Sequence, residues 1–309
     1  MITLDIILGQ GTKYPLKGKL TLPDDTSTPV PAVVLVHGSG SSNMDEKIYR
    51  LTPFKDLAEG LAKHGIASLR YDKRSFTYGL KMIRSKTPIT VKEETIEDAV
   101  MAAELLKKSP EIDPEQVYII GHSMGGMLAP RIDAEGGNFR GLILLAGSPR
   151  KLEDILLEQT REIAAQSGKL AQLVMAKQIK TLEDSFRGLY GLSDEEARTK
   201  KMGGGTTLYY FKEMGEHAPA SYLENLTKPI LVLQGGKDFQ VKADVDYTLY
   251  QQLLAHKPNA SFRLYPQLNH LFMPSVYGQI SKSKQEYKVE QRMSEEVIAD
   301  IAAWIQESK

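Results

Sequence analysis

Four short runs of uninterrupted apolar residues constrain the fold of this chain more than any other feature. They occupy residues 32–36, 117–120, 142–145 and 230–233. None of them alternates with polar residues, as a strand with one exposed face would. Continuous apolar runs of this length are typical of strands that are buried on both faces, as in a parallel sheet.

Segments with helical character separate these runs. Apolar residues recur at helical spacing over residues 53–65 and 95–108, and helix formers follow Ser123 as far as about Asp133. The alternation of strand and helix predicts an α/β fold with a parallel sheet and right-handed crossovers. Residues 1–23 alternate instead, which predicts one or two antiparallel strands at the N-terminal end.

The alternation of strand and helix stops over residues 150–226, where apolar residues keep a helical spacing and no strand pattern occurs. We therefore predict a helical insertion at 150–226 within an α/β core that consists of residues 1–149 and 227–309. The glycine run at 203–205 is either a hinge for this insertion or a plain loop.

Composition and charge argue against several classes of function. Lys and Arg together number 39, as do Asp and Glu, so no excess charge predicts binding to nucleic acid or to an anionic membrane. The absence of cysteine excludes disulfides and thiolate metal sites. No apolar stretch is long enough for a membrane span, and no signal peptide is recognisable, so we expect a cytoplasmic protein. Neither metal-binding nor dinucleotide-binding motifs occur, and we expect no cofactor.

Ser123 stands in the stretch GHSMGG, where an apolar run ends and helix formers begin. A chain that passes directly from a strand into a helix turns sharply, and Gly121 and Gly125 avoid a collision of side chains across that turn. The pattern G-x-S-x-G is typical of a nucleophile elbow, which lifts the serine hydroxyl clear of the carboxyl edge of the sheet. Such a short pattern also arises by chance, but the strand before it and the helix after it favour a catalytic serine.

A serine nucleophile needs a base, and the base needs an acid that orients it. In a fold with this elbow the acid follows a late strand. Asp238 does so, directly after the run at 230–233 and a glycine turn. Asp244 and Asp246 are rivals, but they lie beside the next predicted helix and fit N-terminal capping positions better.

The base is expected after the last strand, and His270 occupies that place in the loop PQLNHLF. His64 and His256 lie at predicted helix ends. His122 belongs to the elbow, and its side chain is expected to point away from the serine hydroxyl. His217 lies in the insertion and stays open as a rival.

The oxyanion of a tetrahedral intermediate needs at least two hydrogen-bond donors. Met124, the residue after the nucleophile, offers one backbone N–H. The glycine-rich turn HGSG after the first buried run offers the other, with Ser39 as first choice and Gly40 as second. His37 is a candidate for holding this turn, and a plain glycine turn is the alternative interpretation.

Two weaker patterns leave alternatives open. Residues 70–79, with Asp72, Lys73 and Arg74, either order the rim of the site, contact an anionic substrate group, or form a salt-bridged loop. A second set of residues, in the insertion, either lines an acyl pocket or packs the insertion on the core; it comprises Leu170, Leu173, Val174 and Met175.

In their order and spacing, HGSG, RYDKR, GHSMGG, GGKD and NH resemble the α/β-hydrolase superfamily. More narrowly, they resemble bacterial esterases and acyl hydrolases of the dienelactone-hydrolase and serine-aminopeptidase-like groups. The resemblance covers nearly the whole chain apart from the insertion. It implies an eight-stranded, mostly parallel sheet, a triad of Ser123, Asp238 and His270, and a cap formed by residues 150–226. The turn reads HGSG rather than the HGGG of lipase-like esterases, so the oxyanion details of that group do not transfer.

These patterns together predict a serine hydrolase that cleaves a small-molecule carboxylic ester through an acyl-enzyme. Hydrolysis of peptides, amides or thioesters is the alternative, since the same triad serves all of these substrates. A non-catalytic binding module on the same scaffold is a third interpretation, and the presence of all three triad members speaks against it. The sequence leaves the oligomeric state open, with a homo-oligomer as one option.

Overall fold

The computed structural model describes residues 1–84, 89–202 and 206–308. The strands are β1 (Ile2–Leu8), β2 (Leu16–Leu22), β3 (Val30–Val36), β4 (Ala67–Tyr71), β5 (Ile112–His122), β6 (Leu142–Leu145), β7 (Ile230–Gly235) and β8 (Ala260–Tyr265). The helices of the α/β core are α1 (Pro53–Lys63), α2 (Arg74–Ile83), α3 (Glu97–Lys107), α4 (Met124–Ile132), α10 (Thr248–Leu253), α11 (Ser283–Glu286) and α12 (Glu295–Glu307).

Between β6 and β7 the described residues form helices and no strand. These helices are α5 (Leu152–Ala165), α6 (Lys169–Phe186), α7 (Asp194–Thr199), α8 (Leu208–Glu216) and α9 (Pro219–Asn225). Shorter π- or 3₁₀-helical turns occupy Lys92–Ile96, Asp133–Gly137, Leu189–Gly191, Ala243–Tyr247 and Ile280–Lys282. The glycine run at 203–205, for which a hinge was one interpretation, lies outside the described residues.

The strands form one eight-stranded sheet in the order β1-β2-β4-β3-β5-β6-β7-β8. β2 pairs antiparallel with both β1 and β4, and the remaining pairs are parallel. This confirms the predicted fold class and the antiparallel strands at the N-terminal end. The carboxyl ends of β3, β5, β7 and β8 therefore lie at one edge of the sheet, where α/β folds bind their ligands.

The central strands are buried on both faces, which explains their uninterrupted apolar runs. Successive side chains of a strand point to opposite faces. In β3, Val34 and Val36 belong to a buried cluster that also contains residues of α3 and α4. Val33 and Leu35 belong to a second cluster, with residues of α1 and α12. Each fully buried aliphatic side chain of this kind stabilises the fold by about 1.5–3 kcal/mol.

The segment after β4 differs from the loop that was one interpretation of residues 70–79. β4 ends at Tyr71, and α2 begins at Arg74. The guanidinium of Arg74 is buried and donates to both carboxylate oxygens of Asp98 in α3, at 3.1 and 2.5 Å. This bidentate pair and the burial of Met82 attach the helix to the core. The segment is therefore helical rather than a loop from Arg74 onward, while the salt bridges of that interpretation are present in the ion pairs of Arg74 with Glu97 and Asp98.

Neither a membrane-spanning helix nor a metal-binding group of side chains occurs in the part of the chain that the structure describes. No helix in residues 1–84, 89–202 or 206–308 combines the length and the apolar character that crossing a bilayer requires. Within the same ranges, His, Asp and Glu side chains form no group of three or more that is placed to hold a metal ion.

Candidate active site

Ser123 makes the turn from β5 into α4 by itself, because β5 ends at His122 and α4 begins at Met124. Its backbone has φ 53° and ψ −116°, a conformation that non-glycine residues rarely adopt. Such a conformation costs about 1–3 kcal/mol and persists only where the surrounding structure enforces it. Here the N–H of Ser123 donates to the carbonyl of Leu145 at 2.8 Å, and its carbonyl accepts from Met127 at 3.0 Å.

Glycine is required on both sides of this turn for steric reasons. A Cβ atom on Gly121 would lie 2.2 Å from the carbonyl oxygen of Gly125. A Cβ atom on Gly125 would lie 2.2 Å from the carbonyl oxygen of Val36. Both distances are far below van der Waals contact, so the glycines allow β3, β5 and α4 to approach each other closely at Ser123.

Asp238 and His270 form a buried pair at the same edge of the sheet. Nδ1 of His270 lies 2.7 Å from Oδ2 of Asp238, and the two side chains are 4% and 0% exposed. Oδ2 also accepts from the side-chain amide of Gln234 at 3.0 Å. Oδ1 accepts from the N–H groups of Gln240 and Val241 at 2.8 and 3.0 Å. Because both of its carboxylate oxygens are hydrogen-bonded within the protein, Asp238 is held in place and fixes the orientation of the imidazole.

The loop that carries His270 is held by a second buried carboxylate. Glu286 accepts from the side-chain amide of Asn269 at 2.9 Å. The side-chain oxygen of Asn269 in turn accepts from the N–H groups of Leu271 and Met273. Burial would raise the pKa of Glu286, but hydrogen bonds from Asn269 and from backbone N–H groups outweigh it and lower that pKa. An ionised Glu286 therefore orders the chain on both sides of His270.

His122 connects this loop to the turn after β3. Its Nε2 lies 2.9 Å from the carbonyl oxygen of His270, and its Nδ1 lies 2.9 Å from Oε2 of Glu46. Oε1 of Glu46 accepts from the N–H of Gly38 at 2.7 Å. The rings of His122 and His270 are 4.8 Å apart. Since His122 is the residue before Ser123, these contacts place the His270 loop next to the serine turn.

A cavity of about 460 Å³ opens at this edge of the sheet. Ser39, Gly40, Ser123 and Met124 contribute to its wall. The wall also includes Gln240 and Val241, the residues whose N–H groups bind Asp238. Gly38 approaches the serine so closely that a Cβ atom there would lie 3.1 Å from Cβ of Ser123. The turn HGSG and the N-terminus of α4 therefore face the same space as the Ser123 hydroxyl.

Most of the remaining wall is apolar. The segment between β6 and β7 contributes five of these residues, namely Leu152, Ile155, Leu156, Tyr210 and Phe211. The core contributes Met82, Ile83, Ile89 and Met127. Glu94 is a charged residue of the wall, and the Tyr210 hydroxyl donates to its Oε2 at 2.9 Å. A cavity of this size and polarity fits a small organic molecule.

The rival acids and bases lie elsewhere. Asp246 is buried against Arg150 and Ser148, at 2.7 and 2.5 Å, so it is an ion-pair residue rather than a helix cap. Asp244 is exposed. His217 is partly exposed, with Nδ1 2.7 Å from the hydroxyl of Tyr222.

Three further histidines, His64, His256 and His37, lie where the sequence interpretation placed them. His64 is the C-cap residue of α1 and His256 is exposed, in line with their interpretation as helix-end or surface residues. His37 is buried, with Nε2 2.9 Å from the carbonyl oxygen of Asn43, and so holds the turn after β3. Burial lowers its pKa to about 4.

Both interpretations of Leu170, Leu173 and Val174 in α6 are wrong, whereas Met175, named with them, is half-buried. Leu170, Leu173 and Val174 are 80%, 73% and 70% exposed, so they neither line the cavity nor pack on the core. The helical spacing identified an apolar face, but it does not reveal whether a partner surface covers that face. The residues of the insertion that do line the cavity lie mainly in α5 and α8.

Sequence reasoning missed the residues that support the site. Glu46, Gln234 and Glu286 have no motif around them. Glu46 and Glu286 act through residues more distant along the chain, His122 and Asn269, while Gln234 acts on Asp238 four residues away. Lys73, in contrast, lies in the stretch RYDKR, which the sequence analysis singled out, and its side chain is among the largest fully buried ones.

Comparison with known proteins places this geometry in a family. A model described as the alpha/beta hydrolase family matches residues 33–279. The chain is 36% identical over 290 residues to Esterase EstD of Thermotoga maritima. That alignment covers 94% of this chain and 65% of the relative, so the chain spans just under two thirds of the relative's length.

Solved esterase structures share the fold. The Pyrococcus furiosus esterase Pf2001 superposes with a TM-score of 0.59 at 16% identity, covering 99% of this chain and 91% of that chain. Est1E from Butyrivibrio proteoclasticus gives a TM-score of 0.58 at 16% identity, covering 98% of both chains. At this identity the likeness concerns the architecture alone.

Proposed function

The chain belongs to the alpha/beta hydrolase family, and from this premise we propose that it is a serine hydrolase that cleaves carboxylic esters. The similarity to Esterase EstD along 94% of the chain supports the reaction class. The observation that carries the proposal is the strained turn at Ser123, which faces a cavity and adjoins the buried pair of Asp238 and His270.

In the proposed reaction, Ser123 Oγ attacks the ester carbonyl carbon while Nε2 of His270 takes its proton. His270 then gives this proton to the departing alkoxide, and the acyl group remains on Ser123. A water molecule, deprotonated by His270, releases the acid and restores the serine. Asp238 accepts from Nδ1–H throughout, so it selects the tautomer and stabilises the imidazolium.

The backbone N–H groups of Ser39 and Met124 are the proposed oxyanion donors. Both residues belong to the cavity wall together with Ser123. Met124 is the first residue of α4, where backbone N–H groups lack helical partners and negative charge is favoured. Losing one such donor typically costs about 2.7–4 kcal/mol of transition-state stabilisation.

The helical segment between β6 and β7 is proposed to act as a cap, as residues 150–226 were predicted to do. Apolar wall is supplied by Leu152, Ile155 and Leu156 of α5 and by Phe211 of α8. Among the described lining residues, Glu94 is the only charged one. This wall favours an ester with an apolar acyl or alcohol group. Cap and core together form one binding space.

Hydrolysis of p-nitrophenyl acetate tests the proposal. Ser123→Ala is expected to lower kcat by about 10³-fold or more, because the remaining groups cannot form an acyl-enzyme. A fluorophosphonate probe is expected to label the unmodified protein and not this variant. Ser41→Ala is a matched control, since Ser41 also lies on the cavity wall. Retained turnover or retained labelling in Ser123→Ala would refute the assignment.

The location and the oligomeric state of the protein each call for a separate experiment. A cytoplasmic location is expected, and fractionation of the source cells tests it. A homo-oligomer stays one option, and sedimentation at several protein concentrations distinguishes it from a monomer.

A further inference from the structure

Lys73 is buried next to the site, and the proposed reaction gives it no role. Its side chain is 2% exposed. Its Nζ donates to the carbonyl oxygen of Gly38 at 2.9 Å and lies 3.5 Å from Oε1 of Glu94. Removing an ammonium group from water is costly unless it is paired and hydrogen-bonded. A charge placed here therefore calls for an explanation beyond packing.

The contacted carbonyl belongs to the same peptide unit as the N–H of Ser39. Peptide units are planar, and the described residues include no cis peptide bond. In a trans unit the C=O and N–H bonds point in opposite directions. Fixing the oxygen of Gly38 therefore fixes the direction in which the Ser39 N–H points.

The turn is held at further points around this peptide unit. The N–H of Gly38 donates to Oε1 of Glu46 at 2.7 Å. The backbone N–H of Lys73 donates to the carbonyl of Ser42 at 3.0 Å, and Asp72 accepts from the N–H of Met44 at 2.8 Å. Residues 72 and 73 thus bind the turn on one side and Glu46 binds it on the other.

We propose that Lys73 is a positioning residue for oxyanion stabilisation. Its ammonium group holds and polarises the Gly38–Ser39 peptide unit, so that the Ser39 N–H donates to the oxyanion that forms at Ser123. This inference rests on the proposed serine hydrolase function. A charge-assisted hydrogen bond to the carbonyl makes the N–H of the same peptide unit a stronger donor, because linked hydrogen bonds polarise one another.

Glu94 completes this arrangement by balancing the charge. Its Oε1 faces Lys73, and its Oε2 accepts from the hydroxyl of Tyr210. Burial lowers the pKa of Lys73, while the charges of Glu94 and Glu46 oppose that effect and favour the ammonium form. The pair is neutral as a whole, so Lys73 polarises the peptide without leaving an uncompensated charge in the wall.

The test uses an inhibitor that forms the oxyanion itself. An aryl trifluoromethyl ketone with ¹³C at its carbonyl adds Ser123 Oγ to that carbon, and the serine proton passes to His270. The ¹³C shift then reports the pKa of the hemiketal hydroxyl, which is lower when the oxyanion is better stabilised. Ser123→Ala forms no hemiketal and provides the blank.

Lys73→Met removes the charge and keeps a side chain of similar length. It is expected to lower kcat for p-nitrophenyl acetate by about 10- to 100-fold, with little change in KM. This effect is smaller than that of losing an oxyanion donor. The hemiketal pKa rises, by about one for each tenfold loss. Lys73→Met/Glu94→Gln, which leaves no unpaired carboxylate, is expected to show the same two effects and decides the question if the single variant does not fold.

Lys107→Met is the matched control, because Lys107 also donates to backbone carbonyls, of Gly137 and Asn138, far along the chain from the site. It is expected to keep the kcat and the hemiketal pKa of the unmodified protein.

A folded double variant whose kcat and hemiketal pKa match those of the unmodified protein would overturn the inference. Loss of thermal stability without a rise in the hemiketal pKa would do so too, because it identifies a merely structural lysine. If the unmodified protein itself forms no hemiketal, the proposed function fails, and that result is recognisable because it does not involve Lys73.

Discussion

The carboxylate of Glu46 lies 2.9 Å from Nδ1 of His122, and the two side chains are 8% and 6% exposed. Each partner makes a second contact, Glu46 with the N–H of Gly38 and His122 with the carbonyl of His270. The pair therefore links the turn after β3 to the loop after β8. Neither contact involves the proposed reacting atoms, so the pair acts on stability and on the placement of the two loops.

This pair predicts a specific dependence of stability on pH. Burial would lower the pKa of His122, but the charge of Glu46 and hydrogen bonds to Glu46 and His270 outweigh it and raise that pKa above its usual 6.5. A raised histidine pKa stabilises the fold fully below the unfolded value, and this stabilisation is lost as pH rises through the folded value. We expect the free energy of unfolding to fall as the pH rises above 6.5, and this fall to disappear in Glu46→Gln. Urea unfolding of the unmodified protein and of Glu46→Gln at several pH values measures both quantities. Parallel plots of the free energy of unfolding against pH for the two proteins would contradict the prediction. Burial lowers the pKa of His37 to about 4, so its own contribution has the opposite sign: it raises stability with pH up to about the unfolded pKa of 6.5 and levels off above that value.

Substitutions at two buried aspartates, Asp238 and Asp246, are expected to separate a loss of catalysis from a loss of stability. Asp238→Asn is expected to lower kcat by about 10⁴-fold, because an amide cannot hold the imidazole in the required tautomer. Asp246→Asn removes a partner of the Arg150 ion pair and is expected to lower the free energy of unfolding by about 3 kcal/mol, with kcat largely kept. Ester hydrolysis and urea unfolding of both variants check this pattern. The reverse outcome would make Asp246 the acid.

The glycine before the serine turn is expected to tolerate no side chain. In Gly121→Ala the new Cβ would lie 2.2 Å from the Gly125 carbonyl oxygen, so backbone has to move. We expect a loss of more than about 3 kcal/mol in the free energy of unfolding. Gly191→Ala is the control, because nothing lies within 4 Å of the added atom and the backbone there has no positive φ. Similar thermal unfolding of the two variants would argue against the steric account.

The apolar wall of the cavity predicts a change in substrate range. Ile155 of α5 is 6% exposed and lines the cavity. Ile155→Ala enlarges that space and is expected to shift the highest kcat/KM among p-nitrophenyl esters toward longer acyl chains. Leu173→Ala, in the same helical segment but 73% exposed, should leave the profile unchanged. An unchanged profile in both variants would place the acyl group outside this cavity.

Local sequence patterns anticipated much of this molecule. The runs that became β3, β5, β6 and β7 are apolar throughout, because both faces of these strands are covered. The turn at Ser123 was recognisable because backbone sterics require glycine at fixed distances on either side of it. In each case the cause acts within a few residues along the chain, so the sequence carries it directly.

Local sequence patterns do not predict contacts between segments that are distant along the chain. Glu46 meets His122, 76 residues farther along the chain, and Lys73 meets Gly38, only because the crossovers bring β3, β4 and β5 side by side. The apolar residues on the exposed face of α6 have the same helical spacing as those on a buried helix face, so the spacing alone does not reveal burial.

The sequence by itself determined the kinds of element, their order and the place of the sharp turn, since propensity, periodicity and local sterics act between neighbours. Only the tertiary structure decided which aspartate meets His270, which residues line the cavity and where the buried charges find their partners. Those outcomes depend on packing and desolvation, which act between side chains brought together by the fold.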